Sequence, residues 1–328
     1  MKQHRIQMIL RATSPIAHHS ETYGNMSLVS REKVRVTGGG FEAIPIISGN
    51  AMRNGLRTSA AKVYLSAAGL IDEPGLTQAA LRLLLNGGVI SGSSGGSVKL
   101  AEYAEIGELV PMLRLLGGCA QNRTHDGRAV VHPALLICDE TIGRMPPMVS
   151  EYLEAAGEKT DSHRSHISEV QEVRMDSLLS GGARELLLPG ERAEVEARMI
   201  ASESASETGD AVRKEATKST MLPMSYETVV RGSLWYWEQT FTTYSAIDED
   251  TMWTMVLSFA TNMNRGGRKR VGHGNLEVAY ATEFELAKPA DSVEFALSSK
   301  ESMKGAIFRD HVQSRKERIR EFLQRVAA

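Results

Sequence analysis

Two helical patterns, one in the first quarter of the chain and one in the last, constrain the fold more than any other feature. Residues 47–68 carry apolar side chains three or four positions apart, which predicts a helix with one buried side: Met52, Leu56, Ala60, Val63 and Ala67. Ser48 or Gly49 can cap its start. Residues 247–264 have the same spacing at Met252, Val256, Phe259 and Met263. Acidic residues at positions 248–250 favour the N-terminus of this second helix.

Strand patterns lie on both sides of each helix. Residues 5–18 contain a short apolar strand pattern, and residues 128–138 have another after the first helix. Residues 223–244 are rich in aromatic and β-branched side chains and predict one or two strands, and residues 275–286 predict the last. Without the intervening segments, the order is strand, helix, strand, strand, helix, strand. This is the order of the split βαβ, or ferredoxin-like, arrangement, so we predict an α+β fold.

Three further segments extend this plan. Residues 76–117 are mostly helical in pattern and lead through the flexible SGSSGGS stretch at 91–97. Residues 145–220 are polar with weak periodicity, which predicts a projecting insertion, mobile near residues 202–219. Residues 303–327 predict one closing amphipathic helix with a continuous apolar side: Phe308, Val312, Ile319, Leu323 and Val326.

Length and composition exclude several classes of protein. The 328 residues are 42% hydrophobic, enough for a sizeable core in one elaborated domain or in two. No apolar run is long enough to cross a membrane, and the first residues lack the pattern of a signal peptide. The two cysteines, Cys119 and Cys138, suit a reducing cytoplasm and lack the spacing of zinc ligands. The formal charge of −2 gives no global basic field, but cations concentrate at 265–270 and 309–325, so one basic groove is possible.

The densest cationic segment is the loop GGRKRVGHGN at residues 266–275, between the second helix and the last strand. Its glycines allow close approach of a ligand to the backbone, and Arg268, Lys269 and Arg270 can neutralise phosphate. A Walker A loop is excluded, because that loop joins a strand to a helix and needs Gly-Lys followed by Ser or Thr. The alternative is a glycine-rich turn with solvated cations. Composition alone favours neither.

The start of the first helix, within EAIPIISGNAMRNGLR at residues 42–57, is the second candidate. Arg53 and Arg57 are four residues apart and share one side of the helix, with Asn50 and Asn54 beside them. A helix N-terminus with free amides and flanking arginines is a natural phosphate site. A solvated amphipathic helix explains the same pattern.

Other candidates have simpler explanations. His125 beside Asp126 suggests acid–base chemistry but is typical of a turn. His18, His19 and Glu21 offer metal ligands, although adjacent histidines in a strand point to opposite faces. An aromatic group can stack on bases, and we expect part of it in the core: Trp235, Tyr236, Trp237, Phe241 and Tyr244.

The two phosphate-site candidates also resemble known motifs. IPIISGNAMRNGLR and GGRKRVGHGNLEV resemble the helix-and-arginine motif and the glycine-rich loop of the RAMP superfamily, the RNA-binding proteins of CRISPR systems. Four segments together resemble the backbone subunit of type IV CRISPR–Cas effector complexes: SETYGNMSLVSREKV, IPIISGNAMRNGLR, LRLLGGCAQNRTHDGRAVVHPALLICDE and GGRKRVGHGN. The matches are scattered over residues 14–286, and residues 145–220 match only in position and polarity.

The resemblance implies an RRM-like palm with a helical insertion and a protruding thumb. It assigns residues 1–144 to the first part of the palm, with the helical insertion at about 74–122. Residues 145–222 would form the thumb, residues 223–287 the second part of the palm, and residues 288–328 the C-terminal helix.

The resemblance also implies partners and a site. The family's subunits stack along one guide RNA (crRNA) beside other effector subunits, with target nucleic acid paired to the guide. The RNA-contacting positions would be Ser48, Asn50, Arg53, Arg57, Gly266, Gly267, Arg268, Lys269, Arg270 and His273. No cofactor, metal or membrane is expected. Type III relatives cleave RNA with an Asp after the first strand, where this chain has His18, His19 and Glu21. We therefore expect a non-catalytic cytoplasmic subunit, with a metal-dependent ribonuclease as the alternative.

Overall fold

A large antiparallel sheet forms the centre of the fold. The structure, a computed structural model, describes residues 1–71, 76–88, 100–120, 123–173, 189–194, 196–197, 223–285, 293–294 and 305–325. The strands are β1 (Lys2–Ala12), β2 (His19–Tyr23), β3 (Met26–Val29), β4 (Arg31–Arg35), β5 (Phe41–Ile47), β6 (Gly118–Ala120), β7 (Arg123–His125), β8 (Ala129–Val131), β9 (Ala134–Leu136), β10 (Ile167–Val173), β11 (Pro223–Val229), β12 (Leu234–Thr243), β13 (Leu276–Glu285) and β14 (Val293–Glu294).

Helices connect and cover these strands. They are α1 (Gly49–Ala67), α2 (Gln78–Asn86), α3 (Leu100–Leu109), α4 (Pro111–Leu116), α5 (Asp139–Ile142), α6 (Pro147–Ala156), α7 (Ala246–Thr261), α8 (Ala306–Gln313) and α9 (Lys316–Arg325). Short 3-10 turns span His163–His166 and Lys269–Val271. Within the described ranges, no helix has both the length and the apolar character needed to cross a membrane.

The order of strands in the central sheet confirms the predicted fold class. The order is β14-β13-β1-β12-β9-β5-β4, and β8 also pairs with β12. The inner strands β13, β1, β12 and β9 are the fourth, first, third and second strands of the predicted plan. This antiparallel order, with α1 and α7 as the two crossover helices, is that of the ferredoxin-like, RRM-like α+β fold.

Both predicted crossover helices pack on one face of the sheet. Alternate residues of β1, including Ile6 and Met8, join the same hydrophobic core as Leu56 of α1 and Phe259 of α7. The apolar stripes expected for these helices are buried apart from Val63 and Ala67, which are partly buried against the core. Of the two predicted caps, Ser48 and Gly49, Ser48 is the N-cap of α1. Trp235, Trp237 and Phe241 of β12 are also core residues.

Part of the opposite face of the sheet is covered by α6. Met148, Val149 and Leu153 form a second hydrophobic cluster with Ile9 of β1 and Leu234 of β12. The polar segment predicted to project therefore begins with a helix that packs on the sheet. Its next described strand, β10, pairs with β11 in a second sheet of order β10-β11-β3-β2. The domain boundaries stay predictions, and residues 202–219 lie outside the described residues.

Two predicted elements are divided in the structure. The prediction of a single helix at 303–327 is wrong, because α8 and α9 are separate helices that meet at Ser314 and Arg315. The division lets α8 pack on α1 and α7 while α9 contacts α3. Phe308, Val312, Ile319 and Leu323 are buried as predicted, whereas Val326 lies outside the described residues. The strand expected at 128–138 is interrupted at Pro133, which has no N–H for a ladder hydrogen bond.

Candidate nucleic-acid interface

The glycine-rich loop packs against the loop that follows β1. The Gly267 N–H donates to the Ala17 carbonyl at 2.6 Å, and the Gly274 N–H donates to the Pro15 carbonyl at 2.8 Å. Gly266 has φ +93°, and a Cβ atom there would lie 2.7 Å from the Ala17 carbonyl oxygen. The close backbone contact therefore requires glycine at this position.

The same β1 loop contacts the start of α1. The Ser48 side chain accepts a hydrogen bond from the Ala51 N–H at 3.3 Å, which caps the helix. The His18 Nε2 atom accepts the Ser48 N–H at 3.1 Å and lies 3.1 Å from the Ser48 hydroxyl. Burial, and secondarily the charge of His19, lowers the pKa of His18, so the imidazole is held neutral and can accept. Asn50 is exposed in the first turn. The two motifs predicted to bind phosphate are thus joined through one loop.

The arginines of α1 are directed at backbone carbonyls. Arg57 donates to the carbonyls of Gly117 at 2.9 Å and Asn86 at 3.3 Å, and Arg53 donates to that of Leu116. These carbonyls lie at the ends of α4 and α2, where the helix dipole is negative. Arg57 is 8% exposed, and burial followed by the charge of Arg53 lowers its pKa to about 10. Arg57 is therefore not on the open helix side that we expected, because the helical insertion covers it. Its RNA contact stays a prediction.

The three cations at 268–270 have different environments. The Arg268 guanidinium carbon lies 3.6 Å from the centre of the Tyr226 ring, and the group pairs with the Glu172 carboxylate. The Tyr226 hydroxyl donates to Glu172 at 2.9 Å and lies 3.2 Å from His273 Nε2. We call Glu172, Tyr226, Arg268 and His273 the Tyr226 cluster. It ties the glycine-rich loop to β10 and β11, so Arg268 and His273 are engaged within the protein.

Lys269 and Arg270 remain exposed beside this cluster. Partial desolvation lowers the pKa of Lys269, and the positive charges of Arg265 and Lys62 lower it further. Lys62 is an exposed residue of α1 that belongs to neither of the two predicted phosphate motifs. We call Lys62, Lys269 and Arg270 the cationic patch.

Arg265 directly precedes the glycine-rich loop and is buried. It is 7% exposed, and its guanidinium carbon lies 4.5 Å from the centre of the Phe259 ring. Burial lowers its pKa to about 10. A Cβ atom on Gly55 of α1 would lie 2.5 Å from this guanidinium carbon. Arg265 thus packs in the contact between α1 and the glycine-rich loop. Its position directly before the glycine pair was the available sequence signal, although burial could not be inferred from it.

The residues proposed for a ribonuclease support separate elements. His18 contacts Ser48, whereas His19 Nε2 lies 2.8 Å from the Glu227 carbonyl oxygen on β11. Glu21 is exposed and accepts a hydrogen bond from Tyr23 at 3.3 Å. The two histidines are therefore turned towards different strands and helices, as their adjacent positions suggested.

The fold and site together define an RRM-like palm with a cationic patch formed by α1 and the glycine-rich loop. No protein-family model and no curated protein sequence matches the chain. Among solved structures, a chain of one described as "Type IV-B CRISPR Complex" is similar, with a TM-score of 0.53 and 16% sequence identity. The match covers 86% of this chain and 91% of that chain. At this identity, the likeness establishes a shared fold.

Proposed function

We propose that the protein is a non-catalytic guide-RNA-binding backbone subunit of a CRISPR effector complex of the type IV kind. The observation that carries the proposal is the junction of the glycine-rich loop, the α1 N-terminus and the β1 loop, with the cationic patch beside it. The shared fold with a chain of a type IV-B CRISPR complex supports the same assignment.

The fold favours binding to the RNA backbone at the loop end of the palm, where the glycine-rich loop meets the β1 loop and the start of α1. RRM domains stack bases on the open face of their sheet. In this protein, α6 covers part of that face through Met148, Val149 and Leu153. The loop end instead offers exposed cations and the N-terminus of a 19-residue helix, which attract phosphate without reading sequence. Such binding suits a subunit repeated along guides of different sequence.

The proposed assembly includes several copies of the chain on one crRNA, other effector subunits and target nucleic acid paired to the guide. The β10–β11 pair lies next to the loop end, since the Tyr226 cluster joins them. We propose that the thumb, residues 145–222, contacts both the RNA and a neighbouring subunit from this side of the palm.

The proposal is tested by purifying the protein under low salt and extracting its nucleic acid. We expect the absorbance at about 260 nm to be high relative to that at about 280 nm, because RNA co-purifies with the protein. Ribonuclease should remove this RNA, and high salt should release it. A protein that neither co-purifies with RNA nor binds added single-stranded RNA would contradict the assignment.

The ribonuclease alternative is tested separately. We expect complexes loaded with guide RNA to leave complementary RNA intact in the presence of Mg²⁺. Cleavage that is lost in the Glu21→Ala variant would instead support an enzyme that uses the loop after β1.

A further inference from the structure

A second group of ligand-forming side chains lies away from the cationic patch. Glu42 of β5, Glu140 of α5 and His163 of the turn before β10 place one ligand atom each within 4.8 Å of the others. His163 Nδ1 lies 3.0 Å from a Glu140 oxygen, and Nε2 lies 3.7 Å from a Glu42 oxygen. Three elements separated in sequence thus bring two carboxylates and one imidazole together, with Glu140 beside the Nδ1 edge of the ring and Glu42 beside the Nε2 edge.

His163 is the unusual member of this group. It is 6% exposed, and its buried Nδ1 atom has no partner in hydrogen-bond geometry although the Glu140 carboxylate is close. The Nε2 atom of nearby His166 is also buried without a hydrogen bond. Buried polar atoms without partners are costly and uncommon in native proteins. A cation bound between the imidazole and the carboxylates would give His163 Nδ1 a partner and remove this free-energy cost.

The Glu140 carboxylate is held in place as an anion. It accepts hydrogen bonds from the Ser162 hydroxyl at 2.6 Å and from the His163 N–H at 2.9 Å. Glu42 is half-buried, and a guanidinium nitrogen of Arg164 lies 3.8 Å from its carboxylate. The Arg164 side chain is 79% exposed, so it can move away from Glu42 without leaving a buried charge. Both carboxylates are therefore available to a cation.

We propose that Glu42, Glu140 and His163 bind one divalent transition-metal ion of the Zn²⁺ type. Imidazole nitrogen with carboxylate oxygen is a donor set that suits Zn²⁺, whereas Mg²⁺ prefers oxygen ligands and retains its water. The ion would join β5, α5 and the turn that begins β10. It would thereby fix the base of the β10–β11 pair on the palm.

The test uses the full chain without an affinity tag, treated with a chelator and dialysed against Zn²⁺ or Mg²⁺. Metal content is measured by mass spectrometry and stability by thermal unfolding. We expect about one Zn²⁺ per chain and a higher Tm with Zn²⁺ than with Mg²⁺, because a ligand that binds only the folded state stabilises it.

Variants distinguish this site from other zinc binding. His163→Gln removes the buried ligand, and Glu42→Gln removes a half-buried one with less effect on folding. Glu169→Gln is the matched control, since Glu169 is an exposed carboxylate on β10. We expect folded Glu42→Gln protein to bind Zn²⁺ roughly tenfold more weakly or worse, since even outer-shell changes have effects of that size. The control should bind like wild type. No Zn²⁺ uptake by wild type, or equal uptake by wild type and Glu42→Gln, would overturn the proposal and leave an ion-paired histidine.

Discussion

The different environments of the loop cations lead to a quantitative prediction for RNA binding. The double variant Lys269→Ala/Arg270→Ala removes the two exposed cations and leaves the Tyr226 cluster in place. We expect weaker binding of single-stranded RNA and a flatter dependence of affinity on salt, because fewer phosphates are neutralised. The fold should be unaffected, since exposed cations contribute little to stability.

The expected magnitude follows from counting the lost contacts. Each phosphate contact contributes roughly 0.7 to the slope of log affinity against log salt for single strands. If each exposed cation neutralises one phosphate, the slope decreases by about 1.4. Between about 50 and 200 mM salt, the ratio of wild-type to variant affinity should then fall roughly sevenfold.

Fluorescence anisotropy with labelled polyuridine across this salt range measures both slopes. The matched control is Lys33→Ala/Arg35→Ala, which removes two exposed cations from β4 at the far edge of the sheet. We expect the control to keep the wild-type slope. An unchanged slope in the loop variant would show that Lys269 and Arg270 are only solvated, and equal flattening in both variants would indicate a general charge effect.

Three further predictions concern residues that the fold engages internally. Arg268→Ala should keep the wild-type salt slope, and a slope as flat as that of the loop variant would contradict this. The same change should reduce the free energy of unfolding by at most about 1 kcal/mol, because the ion pair of Arg268 with Glu172 is partly exposed. Gly55→Ala should destabilise by about 1 kcal/mol or more in urea unfolding despite better helix propensity, because its Cβ would lie 2.5 Å from a carbon of Arg265; greater stability would refute the overlap. Burial lowers the folded-state pKa of His18, so its contribution to stability is complete above about pH 6.5 and is lost as pH falls through the folded value. His18→Gln should therefore reduce the loss of stability on acidification. If urea unfolding between about pH 8 and 5 gives the same pH dependence for the variant and wild type, the lowered pKa of His18 is contradicted.

Local patterns in the sequence were sufficient for the core elements. The spacing of apolar residues predicted α1 and α7 because a helix packed on a sheet must bury one side. The Ser48 cap was predictable because its hydrogen bond is made within three residues. The strand order followed from the alternation of these elements, since few topologies satisfy it. The closing helix was predicted as one because its apolar spacing continues through the break between α8 and α9.

The sequence also indicated where the candidate site lies, because its glycines and cations are neighbours along the chain. It could not tell which cations are exposed. Arg57 and Arg268 look as accessible as Arg270, yet Arg57 meets a carbonyl 60 residues away and Arg268 a carboxylate 96 residues away. Electrostatic partners are chosen by distance in space, which only the packed chain determines.

The tertiary structure likewise decided that helices pack on both faces of the central sheet and that the three proposed metal ligands meet. The polar composition of the segment after residue 145 did not indicate that α6 would pack on the sheet, because only a few apolar side chains of this helix make that contact. Glu42, Glu140 and His163 share no motif, being nearly a hundred residues apart at their widest gap. The sequence by itself determined the elements and their order, because helix and strand periodicity are local properties. The environment of each charged group was decided only when the fold brought distant groups together and excluded water from some of them.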